Sequence, residues 1–319
     1  MQPTTVALSR RGLLATVGAG LLTTAGAGLL AGCGGEAPRT HRVRIATGGL
    51  GGVYAELGAA LTRALTDHYP ELRAEVLVTS ASATNLMLVH AGDAEVGFTQ
   101  ADILSRAGHP ALFALARLYD DCLHLVVRAG DGARAVTALR GSRVSPGPAG
   151  SGTEITASRV LAAAGLRFGD DLINVPLGLD ESARALAAGE ISAFFFSGGL
   201  PVKAITALAG RLPVRLVSLA RYLPALRQRY GEVYAERTIP RSTYEVPSVA
   251  TIGVPNYLVA HARLPEEVGY ALTRTLLGQR DVLAIAHPAA ERINHMAAIA
   301  TDPLPLHPGA ARYFRDNKR

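Results

Sequence analysis

The sequence predicts an α/β protein whose two lobes close on each other as a clamshell. Three observations carry that expectation. From Val43 onward, short apolar runs alternate with segments of helical spacing, the order that joins strands of a parallel sheet through helices. The same order restarts near Arg143, so a second unit of the same kind follows the first. Finally, 319 residues exceed the roughly 100 to 200 usual for one domain, and a hydrophobic content of 49% supplies a core for each lobe.

Taken in order, Val43 to Ala46 reads as a strand, Val53 to Thr66 as a helix, and Val76 to Val78 as a strand. Ala83 to His90 then reads as a helix and Val96 to Phe98 as a strand. In the middle of the chain, Arg143-Val144 is a strand and Glu154 to Ala164 a helix closed by Gly165. Ile173 to Val175 follows as a strand, Ser182 to Ala188 as a helix closed by Gly189, Ala193 to Phe196 as a strand and Val202 to Ala209 as a helix.

Two places look like crossovers between lobes. The apolar runs Leu112 to Tyr119 and Leu123 to Arg128 lead into Gly130-Asp131-Gly132, and Val249 to Val254 runs into Pro255-Asn256. The expected division is therefore residues 41–128 with 255–319 as lobe I and 129–254 as lobe II. Helices around Pro265 to Leu277 and Val282 to His295 finish the chain.

The first residues carry targeting chemistry instead of a globular pattern. Arg10-Arg11 precedes a stretch from Gly12 to Gly35 without charge, similar to a twin-arginine export signal. It ends in Leu30-Ala31-Gly32-Cys33, similar to a bacterial lipobox, which makes Cys33 the expected lipidation site. Residues 1–32 are thus read as a signal peptide and 33–40 as a tether. The competing reading is an uncleaved span, since about 20 apolar residues cross a bilayer, but Gly, Ala and Thr dilute this one. Either way the remainder is expected outside the cytoplasm, at the outer face of the cytoplasmic membrane.

Composition narrows the function. The formal net charge is +6, yet arginines are scattered among acids and no run interleaves basic and aromatic residues, so nucleic-acid binding is not expected. Cys33 and Cys122 build neither a disulfide framework nor a zinc site, and Cys122 in its apolar run reads as a small buried hydrophobe. The nine histidines form no His-Glu-x-x-His pattern, and no metal is expected. Gly150-Ser151-Gly152 is no nucleophile elbow, because Ala149 stands two before Ser151. Asp120-Asp121 and Glu266-Glu267 are adjacent pairs that offer no support for acid–base chemistry. No enzyme and no cofactor are therefore expected.

Two loops carry the chemistry. Thr47-Gly48-Gly49-Leu50-Gly51-Gly52-Val53-Tyr54 lies between a strand and a helix, where glycines admit close backbone approach and helix amides attract an anion. It is no P-loop, and counted from Gly49 a dinucleotide fingerprint would need glycine where Tyr54 stands. Its counterpart is Pro146 to Glu154, where Ser151 and Thr153 open a helix, as anion donors or, for Thr153, as an ordinary N-cap. Between them, Ser82-Ala83-Thr84-Asn85 and Gln100-Ala101-Asp102 fall after strand ends, where open α/β sheets bind ligands.

Thr47 to Tyr54, Ser82 with Asn85, Gln100 with Asp102, Leu118-Tyr119, Gly150 to Thr153, Phe194 to Pro201 and Thr251 to Pro255 fall in the order of a known family. Together they resemble the TAXI family of TRAP-transporter solute receptors, over nearly the whole chain from about Arg42. The resemblance implies a type II periplasmic-binding-protein clamshell that captures glutamate, a related dicarboxylate or another small organic acid. It implies ligand contacts from Gly49, Gly51, Gly52 and Tyr54, from Ser82 and Asn85, from Gln100 and Asp102, and from Gly150, Ser151, Gly152 and Thr153. Phe196, Gly199 and Pro201 would line the second lobe, and Tyr244 matches a tyrosine near the later hinge.

There are three departures, Ser80-Ala81-Ser82 in a usually glycine-rich turn, Ser192 for an acid, and the widened Ser197-Gly198-Gly199 patch, of which the first and third touch the expected pocket and leave ligand identity open. No arginine sits in the matched loops, so the carboxylate clamp is left open between Arg117, Arg143 and another cation. The expectation is a monomeric, lipid-anchored solute receptor handing its cargo to a TRAP-type permease. The alternative is a lipoprotein of the same fold that feeds a sensor histidine kinase.

Overall fold

The apolar runs assemble into a ten-stranded mixed sheet in a computed structural model that describes residues 40–104 and 110–318. The signal peptide, Cys33 and all of the tether but Thr40 lie outside the described residues. The first segments are β1 (His41–Ala46), α1 (Val53–His68), β2 (Leu72–Leu77), α2 (Ser82–Ala91), β3 (Val96–Gln100) and β4 (Leu112–Arg128). There follow β5 (Arg143–Ser145), α3 (Gly152–Ala163), β6 (Ile173–Asn174), α4 (Leu179–Ala188), β7 (Ala193–Gly198), α5 (Lys203–Ala209) and β8 (Val214–Leu216). The chain ends through α6 (Leu223–Tyr230), β9 (Ala235–Ile239), α7 (Arg241–Tyr244), β10 (Val249–His261), α8 (Glu266–Gly278), α9 (Arg280–Ala286) and α10 (Pro308–Asp316).

The strand order is β2-β1-β3-β10-β4-β7-β5-β6, with β8 beside β4 and β9 beside β10. Pairing is parallel at the two ends, β2-β1-β3 and β7-β5-β6, where helices make the crossovers. The middle departs from the expected parallel sheet: β4 and β10 pair antiparallel with each other and with β7 and β3. The reason lies in length, since β4 is a single strand of 17 residues and β10 one of 13, and each serves both halves.

β4 pairs with β10 through its first part and with β7 from Cys122 to Val127. β10 does the converse, pairing β9 from Val249 to Gly253 and β3 from Asn256 to Ala260. The cores follow suit. Leu115, Leu118 and Tyr119 pack with Leu57 and Leu61 of α1, Phe98 of β3 and Leu272 of α8. Leu123, Leu125 and Val127 pack instead with Val160 and Leu161 of α3 and Phe195 of β7. The chain thus passes from one core to the other at Asp120–Cys122 and again at Val254–Asn256, within two adjacent strands.

Local chemistry sets the helix ends that matter. Leu57, Leu61 and Leu65 recur every four residues and bury one face of α1 on the sheet, each stabilising by about 1.5–3 kcal/mol. Ser151 caps α3 by accepting from the Glu154 amide at 3.1 Å. Gly92 and Gly189, both left-handed, end α2 and α4. The helix expected from Val282 to His295 stops at Ala286, because Pro288 has no amide to continue it and a 3₁₀ turn follows.

Candidate functional site

Between the two cores lies a cavity of about 420 Å³, and four helices begin at its wall. Gly52 before α1 and Ala81 before α2 come from one side, Ser151 before α3 and Gly178 before α4 from the other. A helix N-terminus leaves backbone N–H groups without intrahelical acceptors and carries the positive end of the helix dipole. Each contributes roughly 0.3–1 kcal/mol toward a nearby anion, and more where water is excluded. Arg184 of α4 joins them as a lining cation that has no ion-pair partner among the described residues.

Of the residues singled out from the sequence, Gly49, Gly52, Tyr54, Ser82, Gln100, Ser151, Gly152, Thr153 and Phe196 stand around this cavity. They are tightly wired. The Tyr54 hydroxyl donates to Asn256 Oδ1 and lies 3.4 Å from Ser82 Oγ, while its ring stacks on Phe98 at 5.2 Å. Ser82 Oγ accepts from the Gln100 amide at 3.2 Å. Thr153 is no N-cap; its hydroxyl accepts from the Ser197 amide at 3.0 Å and so fixes β7 against α3. Gly152 is forced, because a Cβ there would collide with the Gln100 side chain and Ser82.

The others stand away from the cavity wall, each with a structural duty. Asn85 donates to Phe98 O at 2.7 Å and to Thr47 O and accepts from Thr79, which ties β1, β3 and the turn before α2 together. Gly51 and Gly150 adopt φ of +79° and +77° in the flanking turns, and the Gly150 carbonyl accepts from Ala83 N at 3.2 Å. Gly199 leaves room for Ala289 and the Tyr119 ring, and Pro201 is exposed. Tyr244 holds His124 Nε2 at 3.0 Å, and the other ring nitrogen of His124 meets Phe196 O at 3.1 Å. Burial holds that imidazole down to about 4, so it is neutral, with Nδ1–H donating to Phe196 O.

Asp102 belongs to a second inter-core contact beside the cavity. Its Oδ2 accepts from Thr156 at 2.8 Å and Tyr234 at 2.9 Å and pairs with Arg159 at 3.3 Å. Burial raises its carboxyl above the ordinary range, against the pull of Arg159 and the two hydroxyls. On the opposite flank Lys203 Nζ bridges to Glu56 at 2.8 Å. With Gln100 Nε2 donating to Ser197 Oγ, these contacts hold the two halves together around the cavity.

Sequence reasoning missed the residues that give the cavity its polarity. Asp121 and Tyr119 of β4 and Asp180, Glu181 and Arg184 of α4 all line it, together with Ser197 of β7, whose small-residue patch the sequence had placed at the pocket. The Asp120-Asp121 pair splits: Asp120 ion-pairs with Arg117 and Arg237, while Asp121 faces the cavity floor. Burial pushes the Asp121 carboxyl up to about 7, with Asp120 adding to the rise and Asn256, Gln100 and Ser197 opposing it. Strand alternation beside an inward-facing Tyr119 was the available signal. Arg117 is committed to Asp120 and Arg143 to the Glu190 carbonyl, leaving Arg184 as the cation among the described residues of the cavity wall. Among the described residues no cluster of His, Cys, Asp and Glu has the arrangement of a metal site.

The family model described as "NMT1-like family" matches residues 45–317. Among solved structures, the alkanesulfonate-binding protein of Xanthomonas axonopodis pv. citri, bound to MOPS, superposes with a TM-score of 0.50 at 17% identity, over 86% of this chain and 83% of that one. A Listeria monocytogenes protein described as a putative L-cystine ABC transporter gives a TM-score of 0.53 at 12% identity, over 80% and 98%. At these identities the likeness is one of fold: the two-lobed clamshell of periplasmic solute-binding proteins.

Proposed function

The chain belongs to the NMT1-like family, and on that premise we propose that it is an extracytoplasmic solute receptor that closes its two lobes on a small organic acid. One observation carries this reading: helix N-termini from both halves of the chain open on a single cavity, with Arg184 beside them. That arrangement suits a carboxylate captured between lobes, and a cavity of about 420 Å³ suits a metabolite of amino-acid or dicarboxylate size. Binding, with no covalent step, is the proposed activity. A ligand that touches both turns favours the closed form and shifts the population toward it.

The finer assignment rests on the resemblance to TAXI receptors. It gives glutamate or a related acid as cargo, a TRAP-type permease as partner, and a lipid-anchored monomer at the outer face of the cytoplasmic membrane. The lobes expected from the sequence as 41–128 with 255–319 and 129–254 are taken with the first boundary moved back to Asp121, since Leu123, Leu125 and Val127 pack in the second core, and with β4 and β10 as the connecting strands. A thermal-shift screen of the full chain against amino acids, dicarboxylates and sulfonates tests the reading. One acid should raise the midpoint in a concentration-dependent way, since it binds only the native state; no shift with any acid would overturn it.

A further inference from the structure

The cavity has two ends of opposite character. Helix N-termini and Arg184 offer donors to an anion along its wall, where Asp180 and Glu181 also stand and Glu181 already takes the Gly178 amide, while its floor holds buried polar atoms without partners. Asp121 is 3% exposed and Gln100 1%, and among the described residues neither Asp121 Oδ1 nor Gln100 Oε1 has a hydrogen-bond partner; the Tyr119 hydroxyl is in the same condition. Gln100 cannot relieve this by turning its amide over. Its Nε2 donates to Asp121 Oδ2 at 3.1 Å and also to Ser197 Oγ, which fixes the orientation and turns Oε1 away from that pair.

Buried acceptors without donors are costly, and native proteins leave few of them. No ion pair among the described residues reaches Asp121, and its charged neighbour Asp120 is already held by Arg117 and Arg237. A cation beside Asp121 favours the ionised carboxylate that burial disfavours and supplies the donor that its Oδ1 lacks.

Building on the receptor reading above, we propose that Asp121, beside Tyr119 and Gln100 on the cavity floor, forms a subsite for a protonated nitrogen of the ligand. The cargo is then amphoteric, with an ammonium on the floor and an acid group under the helix N-termini and Arg184. Plain dicarboxylates and sulfonates, which have no nitrogen donor, would bring an anion against the Asp121 carboxyl and leave its Oδ1 unmatched.

The test is calorimetric titration of the full chain with paired probes: L-glutamate against glutarate and L-2-hydroxyglutarate, then each other common amino acid against its 2-hydroxy acid. At least one amino acid should bind about 100-fold more tightly than its nitrogen-free partner. Asp121→Asn should erase most of that preference by weakening the amino acid far more than the hydroxy acid. Equal or tighter binding of the nitrogen-free acids by the unaltered protein would overturn the subsite and leave the receptor reading standing. Failure of every acid of both sets would overturn both. The paired comparison uses the unaltered protein, so its outcome does not depend on whether the variant folds.

Discussion

Gly152 shows how much a single residue decides. Its Cα sits where the start of α3 meets Gln100 and Ser82 from the other half, and no side chain fits between them. Gly152→Ala is expected to wedge the halves apart, weakening ligand binding at least ~10-fold while leaving each core intact; calorimetry with a circular-dichroism melt checks it. Two buried titrating groups on β4 act on stability with opposite sign. Asp121 is raised from 3.8 to about 7, so the fold binds the proton more tightly than the unfolded chain, and stability falls as pH rises across that window. His124 is lowered from 6.5 to about 4, so stability falls as pH drops across its window. Between about pH 4 and 6.5 the two slopes offset each other. Urea midpoints should therefore rise with pH over that range in Asp121→Asn and fall with pH in His124→Gln; unchanged slopes would contradict both assignments.

At the scale of elements, the helix-and-strand alternation was legible because α1 and α3 bury regular faces, β3 and β7 are short and largely buried, and β1 alternates basic residues with buried Val43 and Ile45. What the sequence hid was pairing partners at a distance. Asp120-Asp121 breaks the apolar run of β4, yet Arg117 and Arg237 neutralise one carboxylate and the cavity receives the other, so the strand continues through both. β8 and β9, short or half-exposed, carry too little periodicity to be read before their neighbours are known. The turn loops were legible as ligand candidates from glycine and hydroxyl content alone, but which of their residues face inward was not. Ala81, before α2, holds φ of +82° and ψ of −144°, a region that glycine alone occupies freely. Ala81→Gly should relieve that strain and raise stability by about 1 kcal/mol, read as a higher urea midpoint with an unchanged slope.

For the whole molecule, the clamshell follows from two long strands shared by two cores, and its function from what that sharing does to the space between them. The Lys203–Glu56 bridge is exposed at the lysine end and contributes little by itself, whereas the buried Asp102 cluster and the Gln100–Ser197 contact set how the halves meet. The alternation of strands and helices made two lobes legible, but not that β4 crosses near Cys122, well before Arg128, since a long strand gives no local sign of changing partners. The most direct measurement is a crystal structure of the protein grown with the acid that gives the largest thermal shift. Density for that acid between the Gly49–Gly52 and Ser151–Thr153 turns, its acid group toward Arg184 and its nitrogen toward Asp121, is the predicted result. Density anywhere else on the molecule would contradict the account.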